Sequence, residues 1–352
     1  MKKTCAITMI IAFLLLLSNG LRAQNNQPNQ REHGAVPAAR IYHSLVYHNK
    51  TDNILVFAGL TKRGWIGDLR DIWKYDPNTE QWKYVGICEA VSDDGKSVIT
   101  TMAYDQESDQ FISVDHNGST WAYNFKKNRW KNMNPLTSPS GRAGQGMAYD
   151  KESDRIIMFG GFGGRSIDDS VFSDTWTYDF NANQWTKMNP KLSPSARMYF
   201  AMTYDAENDK VILWGGRKKD PITDNMVWIY DYNEDSWESK ENIGGPEKPL
   251  TYSVMVNRIN SKDNIIFGGA ILESVYKGTL TNETWSYNLT QNKWNRLSPE
   301  VSPPPMADHN MAYDAKRNSI ILFGGELGSL YSNKLSGDLW EFDSGINSWI
   351  KK

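Results

Sequence analysis

Cysteine is almost missing from this sequence, which has two among 352 residues, Cys5 and Cys88. Cys5 lies in an N-terminal segment that we expect to be removed, which would leave Cys88 as the only thiol of the mature chain. A single thiol cannot form an intrachain disulfide, so packing and hydrogen bonds have to hold the fold. We expect Cys88 to be a small buried hydrophobic residue near the end of an outer strand.

An excess of charge of one sign is missing as well. The formal net charge is −2 at pH 7, with 39 Lys and Arg against 41 Asp and Glu. This balance lacks the basic surface that nucleic acid binding requires, so we expect no nucleic acid partner. The 23% of charged and 39% of hydrophobic residues are ordinary for a folded globular protein.

Histidine is scarce, and the five that occur do not lie at metal-ligand spacings. They are His33, His43, His48, His116 and His309. No HxxxH or HxH pair stands beside a carboxylate, so the sequence predicts no metal site. Neither a glycine-rich phosphate loop nor a serine nucleophile elbow occurs, and we expect no cofactor.

The first 23 residues have the composition of a secretory signal peptide. Lys2 and Lys3 precede an apolar run over residues 7–17, and Ala23 is a small residue suited to cleavage. The run is shorter than the ~20 residues that a membrane-spanning helix needs. We therefore expect cleavage near Ala23, export to the periplasm or the extracellular space, and no membrane span.

Residues 24–36 are rich in Asn and Gln and have no apolar periodicity. A segment of this composition cannot bury enough apolar surface to become ordered. We expect a disordered lead-in over residues 24–36 and a folded domain over residues 37–352.

The rest of the chain is one unit repeated six times, as self-comparison shows. Each copy has two tryptophans nine residues apart: Trp73/Trp82, Trp121/Trp130, Trp176/Trp185, Trp228/Trp237, Trp285/Trp294 and Trp340/Trp349. In four copies a diglycine ends an apolar run ahead of this pair: Gly160-Gly161, Gly215-Gly216, Gly268-Gly269 and Gly324-Gly325. The first copy has Ala58-Gly59 at this place, and the second has Asp115-His116.

A diglycine after a β run, followed by spaced Tyr and Trp, resembles the kelch repeat. The resemblance covers about residues 37–350 and implies an all-β fold, a six-bladed kelch-type β-propeller with four antiparallel strands in each blade. In the third blade it places strands a to d at about residues 144–149, 155–159, 174–178 and 184–188. The tryptophans are expected to pack between blades. A monomer is expected.

The second repeat is the weakest copy, because it lacks both the diglycine and a long connection after it. We expect it still to fold as a blade, with a two-residue hairpin at Asn117-Gly118. The last repeat ends three residues after Trp349, so we expect the ring to close by packing between the sixth and first blades.

The connections between strands b and c are longer and more varied than the other turns. In an up-and-down sheet the b–c and d–a connections emerge on the same face, which predicts one face of variable loops and one of uniform turns. Function usually lies on the irregular loops of a rigid scaffold. The channel mouth on the loop face is therefore the predicted site.

Alignment of the inner strands gives the candidate ligand-binding residues. At equivalent places near the strand starts stand Arg40, Arg142 and Arg197, then Tyr42, Tyr199, Tyr252 and Asp308, then His43 and His309. Trp65, Arg217 and Glu326 are expected on the rim. Guanidinium groups suit carboxylates and sugar hydroxyls. The alternative for the arginines is a structural one, in which they tie blades together through loop carbonyls.

Two functions from different classes fit these residues. The first is an exported binding module without catalysis that recognises a glycan or a protein at the loop-rich mouth. The second is a sugar mutarotase or epimerase, because the residues resemble a periplasmic kelch mutarotase that acts on sialic acid. Asp308, His309 or Glu326 would then move protons. The absence of a convincing catalytic constellation favours the binding module.

Overall fold

The computed structural model describes residues 34–62, 69–90, 101–163, 170–218, 224–274 and 277–352. Residues Pro37–Lys352 form one compact unit. Within the described ranges the regular structure is strands joined by turns, and no helix occurs there. The predicted signal peptide and nearly all of the predicted lead-in fall outside the described residues.

Six four-stranded antiparallel sheets are present among the described residues, one for each repeat. We call them blades 1 to 6 and name their strands a to d in chain order. Blade 1 consists of β1 (Ser44–His48), β2 (Asn53–Gly59), β3 (Leu69–Asp76) and β4 (Gln81–Ile87). Blade 2 consists of β5 (Ala103–Asp105), β6 (Gln110–Val114), β7 (Thr120–Asn124) and β8 (Arg129–Asn132). Blade 3 consists of β9 (Gly146–Asp150), β10 (Arg155–Phe159), β13 (Thr175–Asp179) and β14 (Gln184–Lys187).

The other three blades repeat this pattern. Blade 4 consists of β15 (Ala201–Asp205), β16 (Lys210–Trp214), β17 (Val227–Asp231) and β18 (Ser236–Lys240). Blade 5 consists of β19 (Val254–Arg258), β20 (Asp263–Phe267), β23 (Thr284–Asn288) and β24 (Lys293–Leu297). Blade 6 consists of β26 (Asn310–Asp314), β27 (Ser319–Phe323), β30 (Leu339–Asp343) and β31 (Ser348–Lys351). The strands of blade 3 match the predicted ones to within two residues, and the all-β kelch-propeller prediction is confirmed.

Short additional strands lie on the face where the b–c and d–a connections emerge. They are β11 (Phe162–Gly163), β12 (Ser170–Val171), β21 (Ala270–Ser274), β22 (Lys277–Leu280), β25 (Met306–Ala307), β28 (Glu326–Leu327) and β29 (Lys334–Leu335). These strands pair within and beside the b–c connections of blades 3, 5 and 6. We call this face the loop face and the opposite one, which carries the a–b and c–d turns, the turn face.

The hydrophobic core is divided among the boundaries between neighbouring blades, with one apolar cluster at each. At the boundary of blades 1 and 2, Phe57 lies 5.4 Å from Phe111 and 6.1 Å from Trp130, measured between ring centroids. Each blade is too thin to bury its own faces and uses its neighbours to do so. The tryptophans of strand d contribute to these clusters, as the regular spacing predicted.

The ring closes where blade 6 meets blade 1. Phe323 packs against Trp82 with 5.3 Å between ring centroids, and the Asn310 side-chain amide donates to the His43 carbonyl at 2.9 Å. All strands of blade 6 come from the last repeat. Among the described residues, packing and hydrogen bonds join the two ends of the ring without an exchanged strand.

In blades 3 to 6 the diglycine links the blade to the next one around the ring. Both of its residues have positive φ, for example 62° at Gly160 and 92° at Gly161. The amide of the second glycine donates to a carbonyl of the following blade, across four boundaries: Gly161 to Arg197 at 2.9 Å, Gly216 to Leu250 at 2.8 Å, Gly269 to Met306 at 2.8 Å and Gly325 to Arg40 at 2.9 Å. Glycine takes this left-handed conformation at little steric cost, which explains its place at the end of strand b.

The strand-d tryptophans also make specific contacts across the boundaries. In three blades the residue before the strand-c tryptophan is threonine. Its hydroxyl accepts a hydrogen bond from the indole N–H of the strand-d tryptophan in the next blade: Trp185 to Thr120 at 2.8 Å, Trp237 to Thr175 at 3.0 Å and Trp349 to Thr284 at 3.1 Å. At two other boundaries Ile72 and Val227 take this place, and Trp130 and Trp294 pack against them in the apolar clusters.

Blade 2 forms a four-stranded sheet although its repeat lacks the diglycine. Asp115 stands at the diglycine place and accepts the amides of Asn117 and Ser119 at 2.8 and 2.9 Å. The Asp115 amide donates to the Ser119 carbonyl at 3.0 Å, so three residues form the turn. The predicted two-residue hairpin is therefore one residue too short, because the Asp115 side chain organises a wider turn.

Replacing Gly161 by alanine should destabilise the protein by about 2–3 kcal/mol. A Cβ at this position would lie 2.9 Å from the Ala143 carbonyl oxygen and 3.0 Å from Gln145 Cβ. Ala58→Gly is the control, because Ala58 already has φ of 54° in blade 1, where it takes the place of the first glycine of the pair. That variant should gain about 0.5–1 kcal/mol. Urea unfolding measures both, and an alanine variant as stable as the parent would contradict the role of the diglycine.

Candidate functional site

A belt of left-handed residues surrounds the channel where the inner strands begin. Tyr42, Gly144, Tyr199, Tyr252 and Asp308 have φ between 52° and 64°, and each precedes strand a of a different blade. The Tyr199, Tyr252 and Asp308 amides each donate to the belt residue of the preceding blade, at 2.9, 2.9 and 3.1 Å. The corresponding place in blade 2 lies outside the described residues. The belt explains why these five residues align in the sequence.

Three tyrosines of the belt stand across the channel at its loop-face end. Tyr42 and Tyr199 come from opposed blades, and their rings are stacked with 5.9 Å between centroids. Tyr199 and Tyr252 are 4.5 Å apart. Gly144 leaves room for them, because a Cβ there would lie 3.0 Å from the Tyr199 ring. We call Tyr42, Tyr199 and Tyr252 the tyrosine cap, and it obstructs the channel mouth at which the site was predicted.

Arg217 and Tyr331 support the cap from the loop face. The Arg217 guanidinium is buried and donates to the Tyr331 hydroxyl at 3.5 Å. Burial opposes the charge of Arg217, but the phenol oxygens of Tyr252 and Tyr331 outweigh it and raise its pKa. Burial is the largest cause that raises the pKa of Tyr252, and the neighbouring Tyr199 raises it further. These groups hold one another in place at the centre of the loop face.

Glu326 lies under the b–c connection of blade 6 and organises it. Its side chain is fully buried, and its two carboxylate oxygens accept the amides of Tyr331 at 3.0 Å and Asn333 at 2.9 Å. Both amides belong to residues with positive φ. The structure thus places Glu326 beneath a loop, whereas the sequence placed it on an exposed rim. Of the other two predicted rim residues, Arg217 is buried and not exposed on a rim, and Trp65 lies outside the described residues.

The three aligned arginines lie inside their own blades and not together in one pocket. Arg40, Arg142 and Arg197 are at most 1% exposed. Each pairs with a carboxylate just before strand c or at its start: Arg40 with Asp71 at 2.7 Å, Arg142 with Asp174 at 2.6 Å and Arg197 with Asp224 at 2.5 Å. Each also donates to the carbonyl that ends strand b, namely Ala58, Gly160 or Gly215. Every guanidinium nitrogen thus has a protein partner, and the expected shared pocket is absent because these carboxylates draw the arginines away from the channel.

The acidic partners of the three arginines were not predicted, although the sequence contains a signal for them. The same carboxylates accept the indole N–H of the strand-c tryptophan, as in Trp73 to Asp71 and Trp176 to Asp174. Burial alone would raise the pKa of Asp174, but the Arg142 guanidinium outweighs it and lowers that pKa. In blades 1, 3 and 4 an acidic residue shortly before the strand-c tryptophan therefore goes together with an arginine at the start of the same blade.

Blades 5 and 6 lack this arginine and find their cation on strand d. Glu283 stands two residues before Trp285 and pairs with Arg296 at 2.7 Å. Asp338 stands two residues before Trp340 and pairs with Lys351 at 2.9 Å. Both pairs are more exposed than the arginine pairs of blades 1, 3 and 4. The carboxylate is thus the constant element, and its cation comes from the inner or the outer strand.

His43 and His309 lie between blades. His43 packs edge-on against Phe323 of blade 6 with 5.6 Å between centroids, and His309 packs in the same way against Phe267 of blade 5 at 5.4 Å. In blade 4 the equivalent residue is Phe200, which packs against Phe159 of blade 3. The shared position between blades explains why two histidines and a phenylalanine align.

Burial keeps both histidines neutral. It lowers the pKa of His43 well below its usual value, and the charges of Arg40 and His309 lower it further. Burial likewise lowers the pKa of His309 to about 3, although the nearby Phe267 carbonyl offsets part of the effect. Asp308, His309 and Glu326, the candidates for proton transfer, thus lie in three different surroundings: the belt, a boundary between blades and the underside of a loop.

A cavity of about 460 Å³ runs along the channel from the tyrosine cap toward the turn face. The inner strands line it from the cap to the a–b turns. Its lining includes the exposed residues Gln106, Lys151 and Ile259, so it opens on the turn face. Within the described ranges no group of three or more His, Cys, Asp or Glu is placed to hold a metal ion.

The fold and the repeated diglycine, tyrosine and tryptophan positions define a propeller built from kelch repeats. The model of the KLHDC2/KLHL20/DRC7 Kelch-repeats domain matches residues 21–191 and again residues 162–352. The chain therefore belongs to the kelch-repeat family, whose propellers are protein-interaction modules. In the described residues we find no helix that is both long and apolar enough to cross a membrane.

Curated relatives show the same repeats in very different proteins. The chain is 25% identical over 217 residues to the flagellar outer-arm dynein alpha chain of Chlamydomonas reinhardtii, covering 56% of this chain and 5% of that protein. It is 26% identical over 250 residues to tip elongation aberrant protein 3 of Schizosaccharomyces pombe, covering 62% and 21%. It is 22% identical over 338 residues to Mei4-dependent protein 6 of the same yeast, covering 86% and 47%. The matched region thus spans less than half of each of these relatives.

Replacing Arg142 by alanine should lower the free energy of unfolding by about 3 kcal/mol, because it leaves the carboxylate of Asp174 without its buried cation. Arg296→Ala is the matched control. It removes the cation from Glu283 in blade 5, but that pair is solvated and should contribute less than ~1 kcal/mol. Chemical denaturation of both variants tests the difference. Equal losses would show that burial of the arginine pair does not matter.

Stability should fall as the pH drops from 6.5 to 5. In the unfolded chain both histidines take up protons near pH 6.5, whereas in the folded chain His43 and His309 resist protonation. Below pH 6.5 the free energy of unfolding should therefore fall by about 1.4 kcal/mol per pH unit for each of the two histidines. The variant His43→Phe/His309→Phe, which copies Phe200 of blade 4, should be much less sensitive to pH in this window. Urea unfolding at pH 7, 6 and 5 measures the slopes, and equal slopes for parent and variant would contradict the prediction.

Proposed function

We propose that this protein is exported and binds another protein on its loop face, without catalysis of its own. Membership of a family of protein-interaction propellers supports the binding role. The composition of residues 1–23 supports export. The proposed contact lies on the rim formed by the d–a connections, since the tyrosine cap obstructs the channel mouth on this face.

A repeated exposure of aliphatic side chains carries this proposal. Four successive d–a connections present one each at nearly the same place: Leu136, Leu192, Ile243 and Val301. Leu136 is fully exposed, and the other three are at least half exposed. Exposed apolar side chains at a repeated position favour an interaction surface over random variation. Because they belong to four different blades, a macromolecule can reach all of them whereas a small ligand cannot.

The connections that carry these side chains are held against the neighbouring b–c connections. The Asn225 side-chain amide donates to the Pro246 carbonyl at 2.9 Å, and the Ser302 hydroxyl donates to the Asn282 carbonyl at 3.3 Å. Prolines stiffen the same segments, as in Asn134-Pro135 and Asn189-Pro190. A surface fixed in this way loses little conformational entropy when a partner binds.

The test compares two sets of serine substitutions in quantitative affinity purification from the exported fraction of the source cells. The variant Leu136→Ser/Leu192→Ser/Ile243→Ser/Val301→Ser removes the aliphatic side chains from the rim. The control Ile346→Ser/Ile350→Ser removes exposed isoleucines from the turn between strands c and d and from strand d of blade 6. A partner that binds the parent and the control, but not the rim variant, supports the proposal.

Retention of every partner by the rim variant would overturn the proposed surface. Sequencing of the mature N-terminus tests the export half separately. We expect the exported chain to begin at Gln24, directly after the predicted cleavage site. A chain that keeps Met1 and stays with the cytoplasmic fraction would contradict export while leaving the binding surface open to the serine test.

A further inference from the structure

Five tyrosines line the channel cavity toward the turn face, one near the end of strand a in each blade except blade 5: Tyr47, Tyr104, Tyr149, Tyr204 and Tyr313. In blade 5 the corresponding residue is Asn257. This ring is separate from the tyrosine cap, which lies at the other end of the cavity. Aromatic rings with a polar tip suit sites that bind ligands with both apolar and polar surfaces.

The hydroxyl groups of these tyrosines fix the orientation of their rings. Each donates to a side chain five residues later: Tyr47 to Asp52 at 3.1 Å, Tyr104 to Asp109 at 2.9 Å, Tyr149 to Asp154 at 3.0 Å, Tyr204 to Asp209 at 2.8 Å and Tyr313 to Asn318 at 2.8 Å. All five acceptors have positive φ and sit in the a–b turns. The rings are therefore held in place before any ligand arrives, which lowers the entropic cost of binding.

The walls of the cavity combine apolar side chains, such as Met102, Met202 and Val254, with polar strand edges, and they carry little charge. Strand a pairs with strand b on one side only, so its other edge turns main-chain N–H and C=O groups toward the channel. Thr101, Thr203 and Asn310 add hydroxyl and amide groups to the lining. Among the described lining residues the charged ones are Lys151 at the opening and Asp308 at the cap, since the two histidines are neutral.

We infer that this cavity binds a neutral sugar, entering from the turn face. Sugar hydroxyls both donate and accept hydrogen bonds, and they match strand edges that present donors and acceptors in alternation. The apolar faces of sugar rings match the fixed tyrosine rings at the opening. A volume of about 460 Å³ falls in the range of small-molecule sites and fits about one or two sugar units.

Other ligand classes fit these walls less well. A hydrocarbon would leave the strand-edge groups without hydrogen-bond partners, which is costly once water is displaced. An anionic ligand would meet the carboxylate of Asp308 at the inner end of the cavity. The site lies on the opposite face from the proposed protein-binding rim, so the two inferences do not depend on each other.

Saturation-transfer NMR with methyl β-glucoside, N-acetylglucosamine and lactose tests the inference on the whole mature chain. We expect saturation transfer to at least one of the three sugars. Ala206→Trp should then weaken its binding at least about tenfold, because Ala206 is a partly exposed lining residue in an a–b turn and an indole there blocks the opening. Ile346→Trp is the matched control, since it adds the same side chain at an exposed c–d turn that does not line the cavity and should leave the affinity unchanged.

A second pair of variants tests the tyrosine ring. Tyr204→Phe keeps the ring that faces the cavity but removes the hydroxyl that orients it, so it should weaken sugar binding about two- to fivefold, whereas Tyr204→Leu should abolish it. Far-UV circular dichroism and thermal unfolding show whether each variant is folded, and the comparison uses those that are. The absence of saturation transfer to all three sugars would overturn the inference. Binding that Ala206→Trp leaves unchanged would overturn it as well.

Discussion

The paired left-handed glycines at the end of strand b are the constraint on which the rest of the propeller depends. The second glycine turns its amide toward the next blade, so the hydrogen bonds from Gly161, Gly216, Gly269 and Gly325 link successive blades and also join the last to the first. Because these glycines have no Cβ, the inner strand can pass directly against them, and Ser253 Cβ lies 2.9 Å from where a Gly269 Cβ would be. The belt residues can then take up their positions around the channel. A local backbone conformation thereby sets the distance between blades.

The buried ion pairs also hold the strands in position, but they do so through side chains and not through the backbone. An arginine at the start of a blade reaches across strand b to a carboxylate at the start of strand c and so fixes the loop-face end of the sheet. The same carboxylate orients the strand-c tryptophan, which belongs to the cluster at a blade boundary. Strand geometry, charge and apolar packing are thus coupled through one aspartate in each of blades 1, 3 and 4. A group that looks available for a ligand in the aligned sequence is already fully used in the fold.

The repeats made the fold predictable, but they did not identify the site. Spaced tryptophans occur in all six copies and diglycines in four, and a regular pattern of this kind has one structural explanation, which the structure confirms. The aligned arginines had two possible explanations, because the side chain of a residue at the start of an inner strand can point into the channel or back into its own sheet. The position of the acidic partner decides between the two directions. These partners, Asp71, Asp174 and Asp224, stand about thirty residues later in the chain, beyond the reach of a local pattern. The tyrosine cap was found as a set of aligned residues, but its effect on the channel depends on rings from opposed blades meeting, which no single repeat contains.

The contacts between indole groups and threonine make the boundaries between blades chemically different from one another. Thr120, Thr175 and Thr284 each accept a hydrogen bond from the following blade, whereas Ile72 and Val227 offer only a methyl surface. A chain built from near-identical copies is exposed to misassembly, in which one repeat takes the seat of another during folding or between two molecules. A strand-d tryptophan such as Trp185 would lose its hydrogen bond if its repeat followed one that has Ile72 or Val227 at this place. Small differences at one position of strand c thus limit the exchange of repeats in a redesigned propeller, because replacing a threonine repeat by one with Ile72 or Val227 removes a hydrogen bond across a boundary.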